Sequence, residues 1–354
     1  MQPMTKTKIF KSDQEEITSN GKPYWEKFHK KTFFITGGTG LVGYTVISAL
    51  AYYNRRHNAG IRIVALVRDL TRAQEKFAEI LADSPCLSFV EGSMEAFPEI
   101  SEKIDYILHS ACPTSSAYFA AHPVDTIRAI VAGTDKVLQL AVEKKVAGMV
   151  YLSSMEAYGQ ITEKRLLKEN DLGFVDVTDP RSSYPMGKRM AENLCCAYAR
   201  QYGLRVSVVR LVQCFGPGVA RNEQKVFAHM LRSVLAGEDI RLMTDGTKEN
   251  QYVYTFDAAS AIFTLLTDGD AGEVYNVANE RTYCSVKEMG QLVIDTLGTP
   301  DQRVITSAGG DTSQFRPQGY LMLSTEKLRS LGWEAKVSLA EMYRRTAEYF
   351  ESEN

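Results

Sequence analysis

Histidine and cysteine are scarce in this chain, and no part of it is both long and apolar. Only 5 of its 354 residues are histidine and 6 are cysteine. The cysteines, at 86, 112, 195, 196, 214 and 284, form no Cys-x-x-Cys pair and have no histidine cluster among them. That excludes a zinc ribbon or a redox dithiol and reads as reduced, packed thiols in a cytoplasmic protein with no metal site. An excess of one charge is missing too. The 41 Lys and Arg against 43 Asp and Glu leave a formal net charge of −2. Neither nucleic acid nor an anionic membrane is expected as a partner on electrostatic grounds. No apolar run nears the roughly 20 residues that cross a bilayer. The opening Met-Gln-Pro-Met-Thr-Lys-Thr-Lys leads into no apolar segment of the signal-peptide kind. Internal repeats and low-complexity tracts are absent.

What remains is ordinary globular material, 44% hydrophobic and 24% charged, long enough for one large or two fused domains. Residues 1–30 are polar apart from an aromatic knot at Tyr24, Trp25 and Phe28, and are expected to form a helical extension packed on the body. Then comes the stretch that organises the rest, Thr32 to Ala49. An apolar strand-like run (Phe33, Phe34, Ile35) meets glycines at 37, 40 and 43, and a helical pattern (Leu41, Val42, Val46, Leu50) follows at once. Gly37 permits a tight turn, Gly40 a close backbone approach to a ligand, and Gly43 contact between helix and strand. The N–H groups at the start of that helix favour a pyrophosphate.

From Thr32 to Arg210, short apolar runs at 32–36, 61–67, 86–90, 104–109, 147–153 and 205–211 alternate with helical patterns at 41–57, 70–81, 123–144 and 184–202. Continuous apolar strands separated by helices imply an α/β fold, a parallel, doubly wound sheet. Ligands on such a sheet lie beyond the carboxyl ends of the strands. After the second strand stand Arg68 and Asp69, with Arg72 one turn on. An acid here would hold the ribose hydroxyls of NAD, whereas an arginine accepts the extra phosphate of NADP, so Arg68 tilts the reading toward NADP and Asp69 keeps NAD open. The fourth strand ends in His109-Ser110-Ala111-Cys112-Pro113-Thr114. Ser110 and Ala111 are small enough for backbone to pass beneath a cofactor, and His109 reads as a hydrogen-bonded core histidine rather than a base.

Ser153, Ser154 and Glu156 fall at the carboxyl end of the fifth strand, and about thirty residues later Arg181-Ser-Ser-Tyr184-Pro-Met-Gly-Lys188 opens a helix. Tyr184 and Lys188, four apart, share one helical face. A phenol titrates near 10, too high for a base at neutral pH, and an ammonium one turn away would favour its phenolate. Ser154 could hydrogen-bond the same substrate oxygen. Together the three can take or return an alcohol proton while a nicotinamide exchanges hydride at the same carbon.

Here the chain resembles the extended short-chain dehydrogenase/reductases, in their nucleotide-sugar epimerase/dehydratase group. The matching pieces are Thr36-Gly-Gly-Thr-Gly-Leu-Val-Gly43, Leu152-Ser-Ser-Met-Glu-Ala-Tyr-Gly159 and Tyr184-Pro-Met-Gly-Lys188. They continue with Arg210-Leu-Val-Gln-Cys-Phe-Gly-Pro-Gly218, Tyr252-Val-Tyr-Thr-Phe-Asp257, Tyr275-Asn-Val-Ala278 and Leu331-Gly-Trp333. The resemblance implies a Rossmann domain over 31–212 and a smaller C-terminal α/β substrate lobe over 213–354, with the chain free to re-cross between them. It implies a tightly held NAD or NADP, a nucleoside-diphosphate sugar as substrate, and a homodimer through helices 123–144 and 184–202. It makes Tyr184 the catalytic base, Lys188 its tuner and nicotinamide-ribose ligand, and Ser154 the hydroxyl partner. Gly37, Gly40, Leu41, Val42 and Gly43 face the cofactor, with Ser110 and Ala111. Thr114, Gln213 and Arg316 join the substrate contacts, Arg316 resembling a late arginine that grips a substrate phosphate.

Glu156 bears on the reaction class. Dehydratases and decarboxylases of the resembling group carry a glutamate there, and once C4 is a ketone a nearby carboxylate can take the acidified C5 proton. Met155 stands where dehydratases have an acid to protonate the departing hydroxyl. Other departures from the pattern are Ser93, Ile130 and Asn250, the last in place of an arginine that contacts the diphosphate. Its loss leaves diphosphate binding to Arg316, Lys248 or Arg221. Three readings follow: an epimerase or dehydratase working through a 4-keto sugar, a net NAD(P)H-dependent reductase or dehydrogenase of a nucleotide-linked sugar or polyol, and a non-catalytic dinucleotide-binding regulator.

Overall fold

The computed structural model describes residues 8–19, 24–83, 85–113, 115–307 and 319–351. Strands β1 (Thr32–Thr36), β2 (Arg62–Val67), β3 (Leu87–Glu91), β4 (Tyr106–His109) and β5 (Gly148–Ser154) join two later strands, Val206–Leu211 and Val274–Val277, in one sheet. Its order is Val274–Val277, Val206–Leu211, β5, β4, β1, β2, β3, and every pairing in it is parallel. All five residues of β1 are buried, as a central strand covered on both faces requires. The register sets Thr36 beside His109 and His109 beside Tyr151. Ser154 lies beside Leu211. The carboxyl ends of β1, β4 and β5 therefore meet on one edge of the molecule.

Preceding and crossing these strands are α1 (Lys8–Ser19), α2 (Tyr24–Lys27), α3 (Leu41–His57), α4 (Leu70–Lys76), α5 (Ala78–Asp83), α6 (Ser116–Ala121), α7 (Pro123–Glu143) and α8 (Ser183–Tyr202). The single helix expected over 70–81 is broken at Phe77, whose backbone (φ −103°, ψ 14°) caps α4. Phe77 is buried, 5.3 Å from the Tyr44 ring and 5.7 Å from the Phe89 ring. Burying that ring outweighs continuing the helix. Helices α7 and α8 pack side by side, tied by Tyr198 donating to Asp135 at 2.7 Å.

Gln213–Phe215 and Glu249–Tyr254 leave the main sheet and join the later strand Asn279–Ser285 in a three-stranded unit. Helix Thr255–Asp268 then returns to pack on α3 and β5, and Val274–Val277 rejoins the main sheet. A boundary at 212 thus does not cut the chain into two continuous pieces. The N-terminal extension is built in. Trp25 stacks on Tyr53 at 4.2 Å, and Phe10 lies 5.7 Å from Tyr44 of α3 and 5.4 Å from Phe256. Among the described residues no helix is long and apolar enough to cross a membrane.

Candidate active site

The turn from β1 into α3 leaves no room for side chains. Gly37 has φ +73°, and a Cβ there would meet Ala111 N and Ser110 C at 2.8 Å. A Cβ on Gly43 would lie 2.4 Å from Gly37 O. Gly40 caps α3 without any side-chain hydrogen bond, so the first N–H groups of the helix find no partner in a capping side chain. Gly37, Gly40 and Gly43 thus form a tight turn, with Leu41 and Val42 opening the helix. Ser110 and Ala111 pass directly against it, Ser110 Oγ donating to Thr36 O at 2.7 Å and Ala111 N to Thr36 Oγ1 at 3.2 Å. His109 is a core residue. It is bonded to Thr36 Oγ1 at 2.7 Å and Thr134 Oγ1 at 3.1 Å, and burial lowers its pKa to about 3.

Ser154 ends β5, and its Oγ accepts from Glu156 N at 3.2 Å as the chain turns into a short 3-10 helix. Tyr184 and Lys188 enter from the first turns of α8, both buried. Phe119 of α6 stacks on Tyr184 with centroids 4.2 Å apart and planes 8° apart, fixing the ring. Lys188 Nζ donates to Leu152 O at 2.8 Å and lies 5.7 Å from the Tyr184 ring centroid. The phenol does not sit below its ordinary range as the spacing suggested. Burial pushes it well above, with Cys112 and Glu156 acting in the same direction, while the Ser154 hydroxyl and the Arg181 guanidinium pull it back. Desolvation outweighs the neighbouring charge because the ring is buried.

Glu156 is ion-paired: Arg181 Nη2 lies 3.1 Å from its Oε2, with side-chain exposures of 10% for the arginine and 17% for the acid. Arg181 has no role in the sequence reading, although it stands in the run that carries Tyr184. The signal was its position three residues before the tyrosine, on the turn that enters α8. A second unread group lies beneath the strand end. Glu192 accepts from Arg210 Nη2 at 2.7 Å and from Ser153 Oγ, and the Arg210 guanidinium lies 4.6 Å from the Tyr158 ring centroid.

The outlying candidates divide. Gln213 opens its strand with Oε1 buried and lacking a hydrogen-bond partner among the described residues, as an acceptor kept for a ligand would be. Asn250 is 5% exposed, paired with Cys284 across its sheet and close to Tyr252. Arg221 is exposed, 5.7 Å from the Phe350 ring centroid, and Lys248 is half-buried. Arg68 is exposed. Asp69 Oδ1 accepts from Arg72 N at 2.9 Å as the N-cap of α4. Thr114 and Arg316 lie outside the described residues.

Residues 33–278 match the NAD dependent epimerase/dehydratase family. The chain belongs to that family. UDP-glucuronic acid decarboxylase 1 of Xenopus tropicalis is 27% identical over 325 residues, 92% of this chain and 73% of that protein. UDP-glucuronic acid decarboxylase 6 of Arabidopsis thaliana is 31% identical over 242 residues, 68% of this chain and 67% of its own length. The solved UDP-glucose 4-epimerase of Thermotoga maritima shares the fold with a TM-score of 0.75 at 23% identity, over 91% of this chain and 99% of that one. A dTDP-glucose 4,6-dehydratase from Streptomyces venezuelae, solved with NAD, gives 0.73 at 24% identity over 90% and 97%. This member of the family is an NAD-dependent enzyme of the extended short-chain dehydrogenase/reductase group. The family's description names NAD, one of the two cofactors that Arg68 and Asp69 left open.

Proposed function

We propose that the protein acts on a nucleoside-diphosphate sugar through a transient 4-keto sugar, with Tyr184 exchanging the 4-hydroxyl proton and Ser154 orienting that oxygen. The observation that carries this reading is one constellation at adjoining strand ends. Tyr184 is locked against Phe119, Ser154 faces it, and the side-chain-free turn at Gly37 and Gly43 stands across the sheet edge. That turn suits a dinucleotide pyrophosphate, because it delivers the start of α3 with no capping side chain on its first N–H groups. When bound, NAD supplies a hydride acceptor for C4. The chain's own groups then move protons. Burial pushes the phenol up, and the Ser154 hydroxyl and the Arg181 guanidinium beside it favour its ionised form. Glu156 is the base for the C5 proton, Gln213 touches the sugar diphosphate region, and Arg221 and Lys248 are its cationic flank.

Met155 is buried and carries no exchangeable proton, which favours inversion over loss of water. A second reading, decarboxylation of a UDP-hexuronic acid, is supported by the names of the curated relatives. A 4-keto hexuronate is a β-keto acid and loses CO2 readily. Asn250, in place of the expected arginine, speaks against it. Incubation with UDP-, CDP-, GDP- and dTDP-sugars, UDP-glucuronic acid included, decides among these by mass and NMR. Unchanged mass with a new isomer supports epimerisation, and loss of water or CO2 selects the other reactions. Stoichiometric consumption of NAD(P)H with net reduction would refute the cycle.

The enzyme is further proposed to be a cytoplasmic homodimer through α7 and α8. Support comes from Val124, Ile127, Met190 and Tyr202 on these helices, which are 56%, 43%, 53% and 54% exposed. Light scattering at the mass of one chain would overturn the dimer.

A further inference from the structure

Arg181 brings together three observations that the proposed function leaves unused. It is 9% exposed, on the turn Pro180–Ser182 that Asp179 caps by accepting from Arg181 N at 2.9 Å. Its Nη2 reaches Glu156 Oε2 at 3.1 Å. Its Nε is buried with no hydrogen-bond partner among the described residues. A guanidinium is a planar fork with five donors, suited to hold one acceptor on each edge. Here one edge is given to a carboxylate beside the catalytic tyrosine, and a donor is left over inside the protein. Buried donors without acceptors are rare and costly, so the spare N–H points to a ligand oxygen.

We propose that Arg181 is the positioning residue for proton transfer at C5: it fixes the Glu156 carboxylate beside Tyr184 and offers its Nε–H to an oxygen on the sugar's C5 branch. The inference rests on the reading of Tyr184 and Glu156 given above. Its chemistry balances within that cycle. Once C4 is a ketone, the Glu156 carboxylate takes the C5 proton, and the C5–H electron pair moves into the C5–C4 bond. The C4 carbonyl bond electrons pass to its oxygen as the enolate. Return of a proton to C5 regenerates the ketone. In heavy water the returning atom is deuterium, so C5 labelling reports this step, whereas transfer of hydrogen from C4 to the nicotinamide reports the other.

A guanidinium that merely braces the fold would affect both steps alike. Arg181→Met and Arg181→Lys are compared with the wild-type holoenzyme on whichever nucleotide sugar the panel identifies, with folding checked by circular dichroism. The expected result for Arg181→Met is a fall of about 100-fold in C5 deuteration relative to C4 hydrogen transfer, with KM raised about tenfold. Arg181→Lys, which keeps the charge but not the fork, recovers part of the C5 rate and little of the KM. Equal ratios of the two rates in wild type and Arg181→Met overturn the inference. If Arg181→Met does not fold, the lysine variant decides: a wild-type ratio and KM there overturn it equally. Failure of the underlying reading looks different, as the wild-type enzyme itself would then place no deuterium at C5, and the inference would fall with it.

Discussion

Replacing Glu192 with glutamine should cost this enzyme more stability than any surface change. The side chains of Arg210 and Glu192 are 3% and 6% exposed and meet at 2.7 Å, with Arg210 Nε also 3.1 and 3.2 Å from the two carboxylate oxygens. Arg210 Nη1 donates to Glu169 O at 2.6 Å, and Ser153 donates to the same carboxylate from the strand that ends in Ser154. Glutamine keeps the shape but removes the charge, stranding a guanidinium in the interior. Breaking one partner of a buried pair costs about 3–5 kcal/mol. Unfolding entropy for 354 residues is roughly 0.7 kcal/mol/K, so Tm should fall by about 4–7 °C. Scanning calorimetry measures it. The double variant Glu192→Leu, Arg210→Met removes both charges and should recover at least half of the loss. A single variant within 1 °C of wild type, or a double variant worse than the two singles combined, would refute the reasoning.

Tyr184→Phe keeps the stack on Phe119 and should lower kcat about 10²–10⁴-fold with NAD affinity unchanged; retained turnover would sink the assignment. Gly43→Ala drives a Cβ to 2.4 Å from Gly37 O, so NAD titration should show affinity down tenfold or more. Gly203→Ala (φ +68°, nothing within 4 Å) should cost only about 1 kcal/mol and leave NAD binding alone. Asp13, buried against Tyr254 and Arg345, has its pKa raised to about 7 by burial. The folded protein therefore holds a proton there that the unfolded chain releases near pH 4. The stability this group contributes is full at lower pH and declines as pH rises toward about 7. Urea midpoints measured from pH 4 to 8 should lose that slope in Asp13→Asn, and an identical profile would exclude the effect.

The main sheet could be read from sequence because each buried strand is a continuous apolar run, so β1 and α3 fall at the expected residues. The spacing of Tyr184 and Lys188 was likewise legible, since one helical turn places both on one face. What stayed hidden depends on contacts distant along the chain. Val274–Val277 pairs with Val206–Leu211, and nothing local in four residues announces a partner. Arg181 finds Glu156 25 residues away, and Asp13 reaches Arg345 across 332. Local spacing also missed that the Asp69 carboxylate caps a helix and that Lys188 rests on a carbonyl. In both cases a backbone group competes for the side chain and takes it.

The most direct test follows one hydrogen atom. A nucleotide sugar deuterated at C4 is mixed with the enzyme and NAD, quenched within a single turnover, and the nicotinamide is analysed by mass spectrometry. The account predicts deuterium on the nicotinamide ring in the wild type and none in Tyr184→Phe. Product formed while the label stays on C4 throughout would contradict it.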